Sequence, residues 1–127
     1  MPHFTVQIRE EEFDGKVEPR LIAGLTEAVA HVFGEWARSV AVVTLVGVPR
    51  GRWGSGGVPS DENAPVVVLG MREGAFALPD VPDAPARLIA TITDAVTDVF
   101  GEQVRERVTV LLEAVPEGRS GVGGVPV

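Results

Sequence analysis

The feature that most constrains this chain is an internal duplication, because a sequence that repeats a unit at a fixed spacing repeats its structure as well. Residues 20–29, Arg-Leu-Ile-Ala-Gly-Leu-Thr-Glu-Ala-Val, return as residues 87–96, Arg-Leu-Ile-Ala-Thr-Ile-Thr-Asp-Ala-Val. Val-Phe-Gly-Glu follows both, at 32–35 and 99–102, and the Gly-rich stretch 48–59 returns at 115–126. The offset is a constant 67, with 23 of the 41 positions from Arg20 to Ser60 identical to those from Arg87 to Val127. The starts of the copies agree at an offset of 63, where Pro2, Arg9, Glu10 and Phe13 correspond to Pro65, Arg72, Glu73 and Phe76. Four extra residues in the second copy's first connection account for the difference.

Each copy reads alike. Residues 3–8 and 66–71 are short β-rich runs bounded by charged or Gly-containing segments, which predicts strands. Leu21, Leu25, Ala28, Val29 and Val32 recur at helical spacing, as do Leu88, Ile92, Ala95, Val96 and Val99. Pro19 and Pro85 fall near the starts of those helices, and Gly34 and Gly101 at their ends, where positive φ is needed. Residues 41–48 and 108–115 are apolar, β-branched runs that suit central strands, and the Gly-rich segments after them make turns. A right-handed strand–helix–strand unit has parallel strands. The expected fold is therefore α/β: tandem β-α-β units forming a four-stranded sheet with two helices on one face. The division is one domain over 1–127, with repeats at 1–60 and 65–127 and a joint too short for independent motion. The other sheet face would be buried by further subunits, so an oligomer is expected.

Composition narrows the function. With 11 Lys+Arg against 18 Asp+Glu, a net charge of −7 leaves no broad basic field for nucleic acid or an anionic membrane. The absence of cysteine removes disulfides, thiolate metal sites and a cysteine nucleophile, and two isolated histidines make no ligand cluster. No apolar run spans a bilayer, and Met1-Pro2-His3-Phe4 lacks the character of a signal peptide. These features read as a soluble, cytoplasmic protein without metal.

On these residues the chain resembles the tautomerase superfamily, whose short members are single β-α-β units beginning with proline after the initiator methionine. Met1-Pro2 opens the first strand, and Arg52-Trp53-Gly54-Ser55-Gly56-Gly57 is similar to the aromatic-Gly-x-Gly-Gly segment of 4-oxalocrotonate tautomerase. The doubled length resembles the fused branch. Gly70-Met71-Arg72-Glu73-Gly74 is similar to a stretch of cis-3-chloroacrylic acid dehalogenase that carries a carboxylate-binding arginine. The resemblance implies a homo-oligomer, a trimer of two-unit chains, acting without a cofactor on a small-molecule 2-oxo acid.

Its implied chemistry is an enol–keto isomerisation with Pro2 as general base and acid once Met1 is removed. Pro65 is internal and its nitrogen is a tertiary amide, so one site per chain is expected. Arg9 and Arg72, at the ends of equivalent strands, are the first candidates for holding a carboxylate or enolate, since the guanidinium fork takes two oxygens at once. Arg52 and Arg119 in the turns are secondary candidates, and Trp53 would wall the pocket. His3, one residue from Pro2 in a strand, should face the other way. The chain departs from the pattern at Glu12 and at Ala41 and Val42, where the best-known tautomerase has arginines, although Arg38 lies close. It also lacks the dehalogenases' tyrosine, with Glu117 as the sole stand-in for their water-activating glutamate. The alternatives are a hydratase, dehalogenase or decarboxylase that uses cationic Pro2, and a non-catalytic scaffold if Met1 is retained.

Overall fold

The computed structural model describes residues 1–127. The first copy contains β1 (His3–Arg9), a 3-10 turn (Glu10–Glu12), α1 (Val17–Phe33), α2 (Glu35–Val40), β2 (Val42–Val48) and a hairpin of β3 (Gly54–Ser55) and β4 (Val58–Pro59). The second repeats it with β5 (Val66–Arg72), a 3-10 turn (Glu73–Ala77), α3 (Ala84–Phe100), a 3-10 segment (Glu102–Arg107), β6 (Thr109–Val115) and a hairpin of β7 (Gly121–Val122) and β8 (Val125–Pro126). Seven residues, 10–16, link β1 to α1, and eleven, 73–83, link β5 to α3, so the four extra residues lie where the offsets place them.

Both long helices run 17 residues, nearly five turns. In α1 the periodic residues Leu21, Leu25, Ala28, Val29 and Val32 are all buried, and in α3 so are Leu88, Ile92, Ala95 and Val96. Gly34 and Gly101 end them at φ 96° and 99° with extended ψ, a region essentially open to glycine alone. The segments after these glycines, α2 and 102–107, were not anticipated from periodicity. Each is tied back by an equivalent arginine: Arg38 meets Glu27 at 2.8 Å and also pairs with Glu35, while Arg105 meets Asp94 at 2.8 Å and also pairs with Glu102.

The sheet order is β2-β1-β5-β6. β1 and β2 are parallel, β5 and β6 are parallel, and β1 meets β5 antiparallel, which gives the chain a pseudo-two-fold between the copies. Phe4, Val6 and Ile8 of β1 and Val67, Leu69 and Met71 of β5 turn to the helices and are buried with Leu25, Val29, Ile92 and Val96 in one continuous core. The apolar strands whose composition suits the centre are instead the two edges. Two helices cover four strands, so the rims extend past them, and Val43, Leu45, Val110 and Leu112 are only half-buried. On the opposite face no element of the chain covers the sheet, leaving Val42, Val46 and Leu111 exposed. No helix is long and apolar enough to cross a membrane.

At one position the copies differ for a visible steric reason. A Cβ on Gly47 would sit 2.9 Å from Cε2 of Phe13 and 3.2 Å from the Glu10 Cα, whereas the second copy carries Ala114 there. Gly47→Ala is expected to lower the unfolding free energy by about 1–3 kcal/mol through overpacking. Ala114→Gly should cost only about 0.5–1 kcal/mol through backbone entropy. Urea unfolding of both variants checks this, and an unshifted midpoint for Gly47→Ala refutes the crowding.

Candidate functional site

The antiparallel β1–β5 register decides which candidate residues meet. His3 lies opposite Gly70, so the start of β1 lies beside the end of β5, and the Met1-Pro2 end of the chain beside Arg72. On the uncovered face this junction forms a cavity of about 300 Å³ lined by Met1, His3, Arg72, Glu113, Ser120 and Val122, among others. β1, β5, β6 and the second hairpin thus each supply a wall. Strand alternation turns Pro2 inward, where it is buried, while Met1 and His3 face the cavity. The Pro2 carbonyl accepts the Val42 N–H at 2.9 Å, anchoring this end to β2. Burial in this setting, followed by repulsion from the Arg72 guanidinium, pulls the Met1 α-amine below its ordinary value.

Arg9 and Arg72 hold equivalent positions in the copies but lie at opposite ends of the paired strands. Arg9 bonds Glu12 at 2.7 Å and also donates to the Asp61 carbonyl, while Asn63 donates to Glu12 at 3.4 Å. Its guanidinium is held above its ordinary value, foremost by the hydrogen bond to Glu12. Arg72 enters none of the ion pairs within the chain. The cause is local. At the offset of 63, the acidic turn Glu10-Glu11-Glu12 becomes Glu73-Gly74-Ala75, so Arg72 has Ala75 where Arg9 has its carboxylate. The joint that supplies Asp61 and Asn63 also stands beside Arg9 alone.

The remaining candidates divide the same way. Arg52 and the half-buried Trp53 belong to the first hairpin, which follows β2 and leaves the sheet at the Arg9 end. Arg119 belongs to the second hairpin, at the Arg72 end, exposed and next to the cavity-lining Ser120. Arg38 is committed to its carboxylates on the helical side. His31 also sits on that side, in the shallow groove between α1 and α3. No group of three or more His, Asp or Glu side chains is placed to hold a metal ion.

Three residues near Arg72, namely Trp36, Leu78 and Glu113, were not candidates on the sequence alone. Trp36, Leu78 and Glu117 line a second hollow of about 460 Å³ that shares Arg72 with the first. Glu117 was weighed only as a substitute base. Trp36 lies in the unanticipated α2, 48% exposed and 5.7 Å from the Phe33 ring centre. Glu113 pairs with Gly70 in register and so shares the uncovered face with Arg72. Its signal was available: it is the charged residue in an otherwise apolar strand, and its counterpart in the first copy is Val46.

Comparison with known proteins places this geometry. Residues 80–127 match the family model Tautomerase, described as tautomerase enzyme. No curated protein matches the sequence. Among solved structures, the F6 fused 4-OT wild type asymmetric trimer is 22% identical over 98% of this chain and 94% of its own, with a TM-score of 0.83. Pt0534 inactivated by 2-oxo-3-pentynoate is 20% identical over 98% and 94%, at a TM-score of 0.81. N1, a member of the cis-3-chloroacrylic acid dehalogenase family, is 18% identical over 98% and 82%, at 0.79. At such identities the likeness is one of fold. The family model covers the second copy from residue 80 onward, and the first copy repeats residues 87–127 at 23 of 41 positions. Residues 80–127 thus match the tautomerase family, and the chain as a whole has the fold of the fused 4-OT structures.

Proposed function

We propose that the protein is a cofactor-independent tautomerase of small 2-oxo acids, working through the amine of Pro2 after removal of Met1. The observation that carries this reading is the meeting of Met1, the residue joined to the Pro2 nitrogen, with Arg72 in one cavity, where Arg72 is a guanidinium that enters no ion pair within the chain. An ordinary α-amine titrates near about 8, and burial together with a neighbouring cation lowers it toward the range where a general base works at neutral pH. These two influences act on the Met1 amine and would act on a Pro2 amine one residue deeper.

The free amine takes the enol hydroxyl proton while Arg72 holds the carboxylate and the developing enolate oxygen. The resulting prolinium returns the proton to the neighbouring carbon, leaving the ketone and the free amine. Inactivation of Pt0534 by a 2-oxo acid supports this substrate class. We assign Arg9 to the joint rather than to substrate, because Glu12 and Asp61 already occupy it. Arg119, in the second hairpin, lines neither hollow beside Arg72 and is left outside the substrate contacts. Arg52 and Trp53 would serve a Pro2 site only from another subunit. Exposed Val42, Val46 and Leu111 on the uncovered face, and the trimeric state of the fused 4-OT structure, support a trimer. Water addition is a second reading, favoured by Glu117 sharing a hollow with Arg72.

The intact mass of natively expressed protein decides whether the amine is free. A mass short by one methionine is expected, and a full-length mass would favour a scaffold. Pro2→Ala should lower enol–keto conversion of phenylenolpyruvate by about a hundredfold or more with the oligomer intact. An unchanged rate sinks the mechanism. In wild type, kcat/KM should rise with pH through an amine pKa below the ordinary value. Arg72→Ala removes the cation that disfavours the protonated amine, so the rising limb should move to higher pH, and a limb that stays in place refutes the electrostatic coupling. Arg9→Ala should leave KM within about twofold but cost about 1 kcal/mol of unfolding free energy, read by urea denaturation.

A further inference from the structure

The charges around Arg72 say which 2-oxo acids the site accepts. Arg72 is shared by two adjoining hollows, and the other charged side chains lining them are carboxylates: Glu113 in the first, Glu73 and Glu117 in the second. His3 also lines the first hollow, and Arg119 lines neither. Register confirms the position of Glu113. β6 pairs with β5 so that Glu113 stands opposite Gly70 and Val115 opposite Arg72, which places Glu113 diagonally across from Arg72 on the same face. The rest of the lining is apolar or small, with Val68, Val122 and Val127 in the first hollow and Trp36 and Leu78 in the second.

We propose that Glu113, supported by Glu73 and Glu117, is a specificity-determining residue that restricts the site to monocarboxylic 2-oxo acids with an uncharged apolar remainder. The inference rests on the tautomerase reading above and adds the substrate class. One guanidinium offers one fork, which a single carboxylate with its neighbouring enolate oxygen fills. A second carboxylate on the same molecule would find no second Lys or Arg side chain lining either hollow and would face a like charge in each. Like charges set against the wrong ligand are an effective way to reject it. In the pseudo-equivalent site at the other end, Val46 replaces Glu113, so the carboxylate is a property of the Pro2 end and not of the repeat.

Binding tests this without depending on turnover. 2-Oxohexanoate and 2-oxohexanedioate differ only by a terminal carboxylate, and titration calorimetry of the natively processed protein gives Kd for each. The monocarboxylate is expected to bind at least about tenfold more tightly. Glu113→Gln, an isosteric change at an exposed position, should narrow that ratio by at least about threefold while the Kd for 2-oxohexanoate stays within about twofold. Equal or tighter binding of the dicarboxylate by wild type overturns the inference, and so does an unchanged ratio in the variant. Pro2-dependent turnover without charge selection sinks this inference alone. Charge selection without Pro2-dependent turnover sinks the proposed reaction alone.

Discussion

The antiparallel pairing of β1 with β5 is the interaction on which the rest of the molecule depends. Each copy by itself is a two-stranded parallel ribbon under one helix, with its first strand unpaired on one side. Joining the two first strands places Phe4, Val6 and Ile8 alongside Val67, Leu69 and Met71 and brings α1 against α3 over one continuous core. The pairing also creates the functional geometry. Because the strands run in opposite directions, the start of one copy meets the end of the other's first strand, and Arg72 arrives from β5 at the beginning of β1.

Pseudo-symmetry would make two such junctions, and the sequence has made them unlike. One junction has Arg72 without a carboxylate partner, Glu113 on the adjoining strand, and the Met1-Pro2 end of the chain. The other has Arg9 locked to Glu12 and the joint, Val46 in place of Glu113, and Pro65 embedded in the backbone. The same arginine therefore does two physical jobs. At one end it is a structural tie, satisfied by the chain's own oxygens. At the other it enters no ion pair within the chain. The difference comes from a few substitutions, chiefly Glu12 against Ala75.

The uncovered sheet face is the second consequence of the architecture. Two helices can cover only the helical side, so the alternate residues of all four strands face outward. Val42, Val46 and Leu111 there are apolar, and the edge strands β2 and β6 are largely apolar, with Glu113 the one charged residue in them. Exposed apolar faces and unpaired edges are unfavourable for an isolated chain. The cavity beside Arg72 opens onto the same face.

Much was legible in the sequence because it depends on local periodicity and on repetition. The duplication, the strand and helix positions, the glycines at φ 96° and 99°, the four-residue insertion and the single covered face all follow from the order of residues. Pro2 and Arg72 were candidates through the resemblance to the tautomerase superfamily, which the residues around them carry. Spacing alone did not assign the apolar runs to the sheet edges, since an apolar strand reads alike at the centre and at an edge. Nor did it separate Arg9 from Arg72, whose sequence positions are equivalent. Their fates were decided by the antiparallel register and by oxygens close in space, the Glu12 carboxylate three residues away and the Asp61 carbonyl of the joint. Glu113 and Trp36 joined the site through tertiary pairing across strands and copies. One-dimensional sequence determined what the elements are and which chemistry they carry. The tertiary structure decided which ends of those elements touch, because strand direction, a property of the assembled sheet, sets which side chains share a cavity.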